Sequence, residues 1–137
     1  MVSRKAKGVY LTAQSEMAIL KSIQLELTKL HCRAFRTNVG EGWVGKSIRQ
    51  SDGTVVIQHA RHFQTGLPVG FPDLLVILPN GRVVFMEVKT ATGKVRSEQA
   101  RMHEFLDSMH QHHCIVRSVE DAINITKKIL EVEQYGI

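Results

Sequence analysis

The chain is poor in cysteine, proline, tryptophan and long apolar runs, and each shortage removes a class of protein. Two cysteines, Cys32 and Cys114, stand far apart with no repeated spacing. That rules out a disulfide framework, and because both fall in apolar strand-like runs they are expected as buried free thiols. No apolar run approaches the length of a membrane span. The N-terminal Arg and Lys residues are not followed by an apolar core of signal-peptide length. These absences predict an intracellular, cytoplasmic, reducing setting and no membrane partner. There is no internal repeat and no low-complexity tract. Acidic residues are the minority, 13 against 18 Lys and Arg, and the net charge is +5. The excess lies at the front, where residues 1–50 hold nine Lys/Arg against three Asp/Glu. A basic lobe favours a polyanionic partner such as nucleic acid.

What is present suits one domain. The 137 residues are enough to bury a core and too few for two ordinary ones. Residues 1–11, with Arg4, Lys5 and Lys7, show no periodicity and read as a flexible basic arm. Residues 12–137 read as a single domain.

The centre of the chain is the stretch 70–99. Leu74–Leu78 and Arg82–Lys89 are rich in Val, Ile, Leu and Phe, and Pro79-Asn80-Gly81 between them is turn chemistry. Two hairpin loops fit: a two-residue Asn80-Gly81 turn, or a three-residue loop in which Pro79 opens a type I turn and Gly81 takes the left-handed position. We take the second. It pairs Leu78 with Arg82 and sets Asp73 opposite Glu87, side chains on one face; the first would put Asp73 opposite Val88. The period of two then places Val83, Phe85, Glu87 and Lys89 together and Val84, Met86 and Val88 on the reverse. Two carboxylates and an ammonium at the end of an apolar hairpin need water, a metal or each other. A carboxylate pair suits a hard cation such as Mg²⁺.

Before this stretch, Leu20, Ile23, Leu27 and Leu30 recur at helical spacing from a cap at Ser15, with Glu16 at the N-terminal end of the stripe. His31–Thr37 and Thr54–His59 read as strands. Gly40–Ser47 fits the phosphate-loop pattern GxxxxGK[ST] letter for letter, but only Ile48–Gln50 separate Ser47 from the Ser51-Asp52-Gly53 turn. The helix that such a loop requires has no room, so the P-loop nucleotide hydrolase is a minor alternative and the segment reads as a Gly-rich, basic, mobile loop. Gly66, Pro68, Gly70 and Pro72 make a stiff, irregular approach to Asp73. After Lys89, Thr90–Arg96 reads as a loop, and Ser97 as the cap of a helix to about His110 with Gln99, Met102, Leu106 and Met109 on one face. His110, His112, His113 and Cys114 suggest zinc by type. Strand alternation and the lack of a second ligand pair argue against it. Ser118 caps a last helix to about Glu133, with Ala122, Ile125, Ile129 and Val132 as its stripe.

Pro72-Asp73 followed by Glu87-Val88-Lys89 resembles the PD-(D/E)xK nuclease signature. The setting Gly70-Phe71-Pro72-Asp73-Leu74, Glu87-Val88-Lys89-Thr90, Ser97-Glu98-Gln99 and Val116–Asp121, together with Arg36-Thr37-Asn38-Val39-Gly40, resembles the VRR-NUC branch of that superfamily. The resemblance implies an α/β fold with a restriction-endonuclease-like core, a mixed central β-sheet flanked by α-helices. It implies a Mg²⁺- or Mn²⁺-dependent DNA endonuclease. Asp73, Glu87 and the Val88 carbonyl would bind metal, Lys89 would act on the water or the transition state, and Gln99 and Glu16 would complete the site, Glu16 through water. DNA contacts would come from Arg36, Asn38, Lys46, Arg49, Arg61, Lys94 and Arg96. Stand-alone members resemble Holliday junction resolvases, which points to a homodimer acting on branched DNA. A non-catalytic DNA-binding module on the same fold is the main alternative.

Overall fold

The computed structural model describes residues 14–135, with side chains to residue 131. The N-terminal basic segment therefore lies outside the described residues, as does the side chain of Val132. Helix α1 (Glu16–Lys29) forms where the stripe predicts it. Ser15 caps it, its hydroxyl accepting from the Ala18 N–H at 3.1 Å. Ile19, Leu20, Ile23 and Leu27 face inward, and Lys29 in the last turn complements the helix dipole. The chain then runs through β1 (Arg33–Arg36), β2 (Glu41–Arg49), β3 (Val55–Gln64), β4 (Leu74–Ile77), β5 (Val83–Val88), α2 (Ser97–Ser108), β6 (His112–Val116) and α3 (Val119–Tyr135).

Four strands make the central sheet in the order β1-β4-β5-β6. β1, β4 and β5 are antiparallel neighbours, and β6 joins β5 in parallel after the α2 crossover. This is the mixed sheet with flanking helices. One face of the sheet carries Leu74, Val76, Val84, Met86, Val88 and Val116, all with no exposed surface, packed with Ile23 and Leu27 of α1 and Ala122 of α3. Burial of each such aliphatic side chain contributes about 1.5–3 kcal/mol, so this face is the main source of stability. α2 lies against the β6 end of the other face.

The hairpin has the three-residue loop. Leu74 pairs with Met86 and Ile77 with Val83. The Leu78 N–H donates to the Arg82 carbonyl at 2.8 Å, and the Gly81 N–H to the Leu78 carbonyl at 2.9 Å. Gly81 has φ +88°, the left-handed conformation that closes the loop with least strain. Counting back, Asp73 falls opposite Glu87 on the face away from the aliphatic core.

Several boundaries differ from the sequence reading. Residues 40–47 are not a mobile loop. Gly40 leads into β2, which pairs antiparallel with β3 as a separate two-stranded ribbon. Glycine suggested a loop, whereas the ladder sets Trp43 opposite His62, Val44 opposite Arg61 and Ile48 opposite Val56, with Phe63 and Ile57 opposite the small Gly42 and Ser47. Ser47 sits inside a strand with no helix after it, so a phosphate-binding P-loop is excluded by the fold. β3 runs on to Gln64 and takes in Arg61 and His62, with a bulge where His59 and Ala60 lie opposite Gly45 alone. β1 is shorter than 31–37. The N-cap of α2 is Arg96 rather than Ser97, and the helix ends at Ser108. Met109, beyond that end, is 54% exposed instead of completing the stripe. The last helix begins after Ser118, whose hydroxyl accepts from the Asp121 N–H at 3.1 Å, as the cap predicted.

Thr126 on α3 is fully buried, and its hydroxyl has no partner among the described residues. A buried hydroxyl without a hydrogen bond costs stability. Thr126→Val keeps the shape and removes the hydroxyl, and is expected to raise stability by about 1 kcal/mol. Urea denaturation should show a higher midpoint at an unchanged slope.

Candidate active site

The site is built where the β4–β5 hairpin, β6 and the start of α2 meet. Asp73 is held by its backbone first: the Thr37 N–H donates to the Asp73 carbonyl at 2.9 Å, and the Thr37 hydroxyl donates to the Pro72 carbonyl. β1 thus reaches one residue past its formal end to fix Pro72-Asp73. The side chain is fixed next, since Asp73 Oδ2 accepts from the Val88 N–H at 2.9 Å.

Glu87 is 2% exposed. Its Oε2 accepts from Gln99 Nε2 at 2.7 Å, while Gln99 Oε1 accepts from the Arg96 N–H at 2.9 Å. Gln99 is therefore oriented from both ends. The same side chain caps α2 and grips the carboxylate, so the start of the helix and the site share one residue. Glu87 Oε1 is buried and has no partner among the described residues. Burial raises the Glu87 pKa, the facing Asp73 carboxyl raises it by hydrogen bonding and by charge, Lys89 lowers it and Glu16 raises it slightly; the result is about 8. Glu87 therefore holds its proton at neutral pH in the absence of a bound cation.

Lys89 is 6% exposed and continues the ladder, its N–H donating to the Val116 carbonyl at 3.0 Å. This keeps its side chain on the Glu87 face. The turn after it is clamped by Arg117, whose Nη1 donates to the carbonyls of Thr90 at 2.6 Å and Gly93 at 2.8 Å. The Arg117 N–H is in turn accepted by Asp121 Oδ2 at 2.8 Å.

The sequence reading missed this clamp. Its signal is the parallel register in which Val116 pairs with Val88, which puts Arg117 beside Lys89, and that register is not visible in the sequence. His103 was also missed. It lies one turn after Gln99, its Nε2 buried without a partner among the described residues and its ring 5.3 Å from that of His113. Burial, His113 and Lys89 push its pKa below the usual histidine value, so it stays neutral beside the lysine. Helical spacing from Gln99 was the available clue.

A cleft of about 420 Å³ opens beside Asp73, with Arg36, Asn38, Gly70, Arg96 and Gln99 among its walls. Three of the predicted DNA-contact residues thus share a surface with the acid and the glutamine. Lys46, Arg49 and Arg61 lie on the β2–β3 ribbon, and Lys94 is exposed in the turn before α2. Glu16 is exposed in the first turn of α1 and acts on Glu87 only through its charge. Among the described residues no three His, Cys, Asp or Glu side chains come close enough to hold a metal ion together. Glu16 is therefore not a third carboxylate in direct contact with the other two. The same holds for the histidine-rich stretch: His112, His113 and Cys114 lie on β6 with alternating directions, and no zinc cluster forms there.

The donor set nevertheless fits a hard divalent cation. It offers a free buried oxygen on Glu87, a carboxylate facing it, and the Val88 carbonyl between Glu87 and Lys89. No helix among the described residues is long and apolar enough to cross a membrane.

No protein-family model matches the chain, and no curated protein matches it. Among solved structures, one described as a VRR_NUC domain superposes with a TM-score of 0.51. The match covers 90% of this chain and 100% of that one, at 20% sequence identity. The mixed sheet, its crossover helix and the hairpin carrying Asp73 and Glu87 thus form the fold of a VRR_NUC domain.

Proposed function

We propose that the chain is a Mg²⁺- or Mn²⁺-dependent nuclease that hydrolyses DNA phosphodiesters, acting as an endonuclease on branched DNA such as a four-way junction, as a two-fold homodimer with one site for each strand cut. The observation that carries this reading is the Asp73–Glu87 pair, in which Glu87 Oε1 is buried with no hydrogen-bond partner among the described residues and the Lys89 charge acts on the carboxylate. Asp73, Glu87 and the Val88 carbonyl would hold the cation, which when bound supplies Lewis acidity and lowers the pKa of a water.

The chain's own residues do the rest. Gln99 occupies one Glu87 oxygen and leaves the other directed to the site, and the Val88 N–H fixes Asp73 in the facing position. Lys89 sets a positive charge where negative charge builds on the attacked phosphate. Arg36, Asn38 and Arg96 line the cleft through which a phosphate backbone would pass, with charge-assisted hydrogen bonds to its oxygens. Glu16 acts from outside, through the field or through water. Lys46, Arg49, Arg61 and Lys94 would contact DNA farther from the scissile bond.

The test incubates wild-type and Lys89→Ala protein with linear, flap and four-way-junction DNA, with Mg²⁺ or EDTA. Cleavage with Mg²⁺, none with EDTA, and a loss on the order of 10²–10³-fold in the variant with DNA binding retained are the expected results. DNA binding without cleavage of any substrate would favour a non-catalytic DNA-binding module. Equal cleavage by the variant would remove Lys89 from the mechanism.

A further inference from the structure

The cleft beside Asp73 does not end at the site. A second cavity of about 420 Å³ shares Val39, Gly40 and Val69 with it, so the two form one groove that runs from Asp73 to the base of the β2–β3 ribbon. The chemistry of the walls changes along the way. At the inner end Arg36 and Arg96 line the groove together with Asp73. At the outer end no Lys or Arg does so. Val39, Leu67, Pro68 and Val69 supply apolar surface there, and Glu41 and Gln64 add hydrogen-bonding groups, the Gln64 amide donating to the Glu41 carboxylate at 3.1 Å.

The outer end is firmly built. On one side the Thr65 N–H donates to the Gly40 carbonyl at 2.9 Å, and the Gly40 N–H donates to the Thr65 hydroxyl at 3.0 Å. On the other, the Phe71 N–H donates to the Pro68 carbonyl at 3.2 Å, closing a turn whose third position is Gly70 at φ +93°, as a type II turn requires. Gly70 is buried against the Glu98 backbone, which ties the turn to the start of α2 that also carries Gln99. Val69 stands second in this turn and is 67% exposed. An apolar side chain is thus fixed in place yet uncovered where the two halves of the groove meet.

The two ends suit different parts of a nucleotide. A sugar-phosphate strand continuing outward from Asp73 would meet the Glu41 carboxylate, whose other oxygen lies 3.5 Å from His62 Nε2, and no Lys or Arg on the walls. A nucleobase is uncharged, has apolar faces and carries donors and acceptors along its edge, which is what apolar walls with a few polar groups receive when a base is taken out of its stack. The volume lies within the roughly 300–1,000 Å³ of small-ligand sites.

We propose that the outer end of the groove, walled by Val39, Leu67 and Val69, seats one unpaired nucleobase of the strand that is cut, with Glu41 and Gln64 hydrogen-bonding to its edge. The proposal rests on the nuclease reading for the strand at Asp73. It also gives that reading a physical reason to favour branched DNA: a base must leave its stack to enter the seat, and this is least costly beside a branch, where the base has no partner.

The test uses the full chain in EDTA, so that binding is read without cleavage. A flap DNA carries 2-aminopurine in turn at each unpaired nucleotide next to the branch. Its emission rises when the base leaves the stack, and no aromatic side chain lines the outer end to quench it. A rise confined to one position is expected. An abasic site at that position should weaken wild-type binding about 10-fold or more, and because the nucleotide is unpaired from the start, this removes contacts without also removing an unpairing cost. Leu67→Ala/Val69→Ala, with unchanged far-UV circular dichroism, should bind the intact flap as weakly as wild type binds the abasic one and should not tell the two apart. The absence of a position-specific rise overturns the proposal, as does wild type that binds both flaps alike or a variant that still distinguishes them. Adding Mg²⁺ judges the nuclease separately. A seated base without cleavage of any substrate supports the seat and counts against the nuclease, whereas Mg²⁺-dependent cleavage with no rise overturns the seat alone.

Discussion

Glu87→Gln is expected to stabilise the protein and inactivate it together, with the stability gain growing as pH rises. In the metal-free fold Glu87 keeps its proton up to about pH 8, whereas its ordinary value is 4.5. Between those values the folded state binds more protons than the unfolded one. Folding stability therefore falls as pH rises through the window and levels off above it. Glutamine mimics the protonated acid at every pH and keeps the hydrogen bond from Gln99 available. The variant should match wild type near pH 4 and exceed it at pH 8 by an amount on the order of a few kcal/mol, several degrees in Tm.

Divalent metal supplies the reciprocal test. In the proposed reading Mn²⁺ or Mg²⁺ would take the place of the proton, so it should raise the Tm of wild type at pH 8 and leave that of the variant nearly unmoved. Thermal melts across pH with and without metal measure both effects. A variant advantage that is the same at pH 4 and pH 8, or equal stabilisation of both proteins by metal, would show that the carboxylate pair does not carry this charge conflict.

The second large effect is expected at Gly70. Its φ is +93°, and a Cβ placed there would lie 2.4 Å from the Glu98 carbonyl oxygen, backbone in the first turn of α2. The clash cannot be relieved by rotating a side chain. Gly70→Ala must move the chain before Asp73 or the start of α2, and Glu98 is the neighbour of Gln99. A cost of about 2–4 kcal/mol in stability is expected from the strained backbone and the overlap. Cleavage should fall more than 10-fold in the molecules that remain folded, because Gln99 then loses its fixed reach to Glu87. Gly66→Ala is the control, since nothing lies within 4 Å of a Cβ there. If the two variants behave alike in chemical denaturation and activity, the close approach at Gly70 is not what positions the helix.

The parts of this architecture that repeat with a local period were legible from the sequence. The α1 stripe, the alternation of β5 and the Pro-Asn-Gly loop are short-range rules, and together they gave the Asp73–Glu87 juxtaposition before any tertiary information. The ribbon was not legible, because three glycines between Gly40 and Gly45 imitate a loop and the pairing of Trp43 with His62 is a relation between distant residues. Glu16 shows what a stripe alone leaves open: helical periodicity gives the angle of a side chain around its axis and not its distance from a partner, and Glu16 is exposed in the first turn of α1, reaching Glu87 through its charge. Arg117 was hidden for the related reason that it acts across the parallel β5–β6 seam.

The loop at Pro79-Asn80-Gly81 carries information of a different kind from the residues around it. Its three positions act as a counter: with one fewer, the ladder closes with Asp73 beside a different partner, and either the carboxylates part or the aliphatic face of β4 turns to water. Substitutions at the exposed Asn80 change little in that arithmetic, whereas an insertion or deletion of one residue rewrites the site without touching Asp73, Glu87 or Lys89. In this fold part of the chemistry is encoded as a length, and a survey of variants that scores substitutions alone would pass over it.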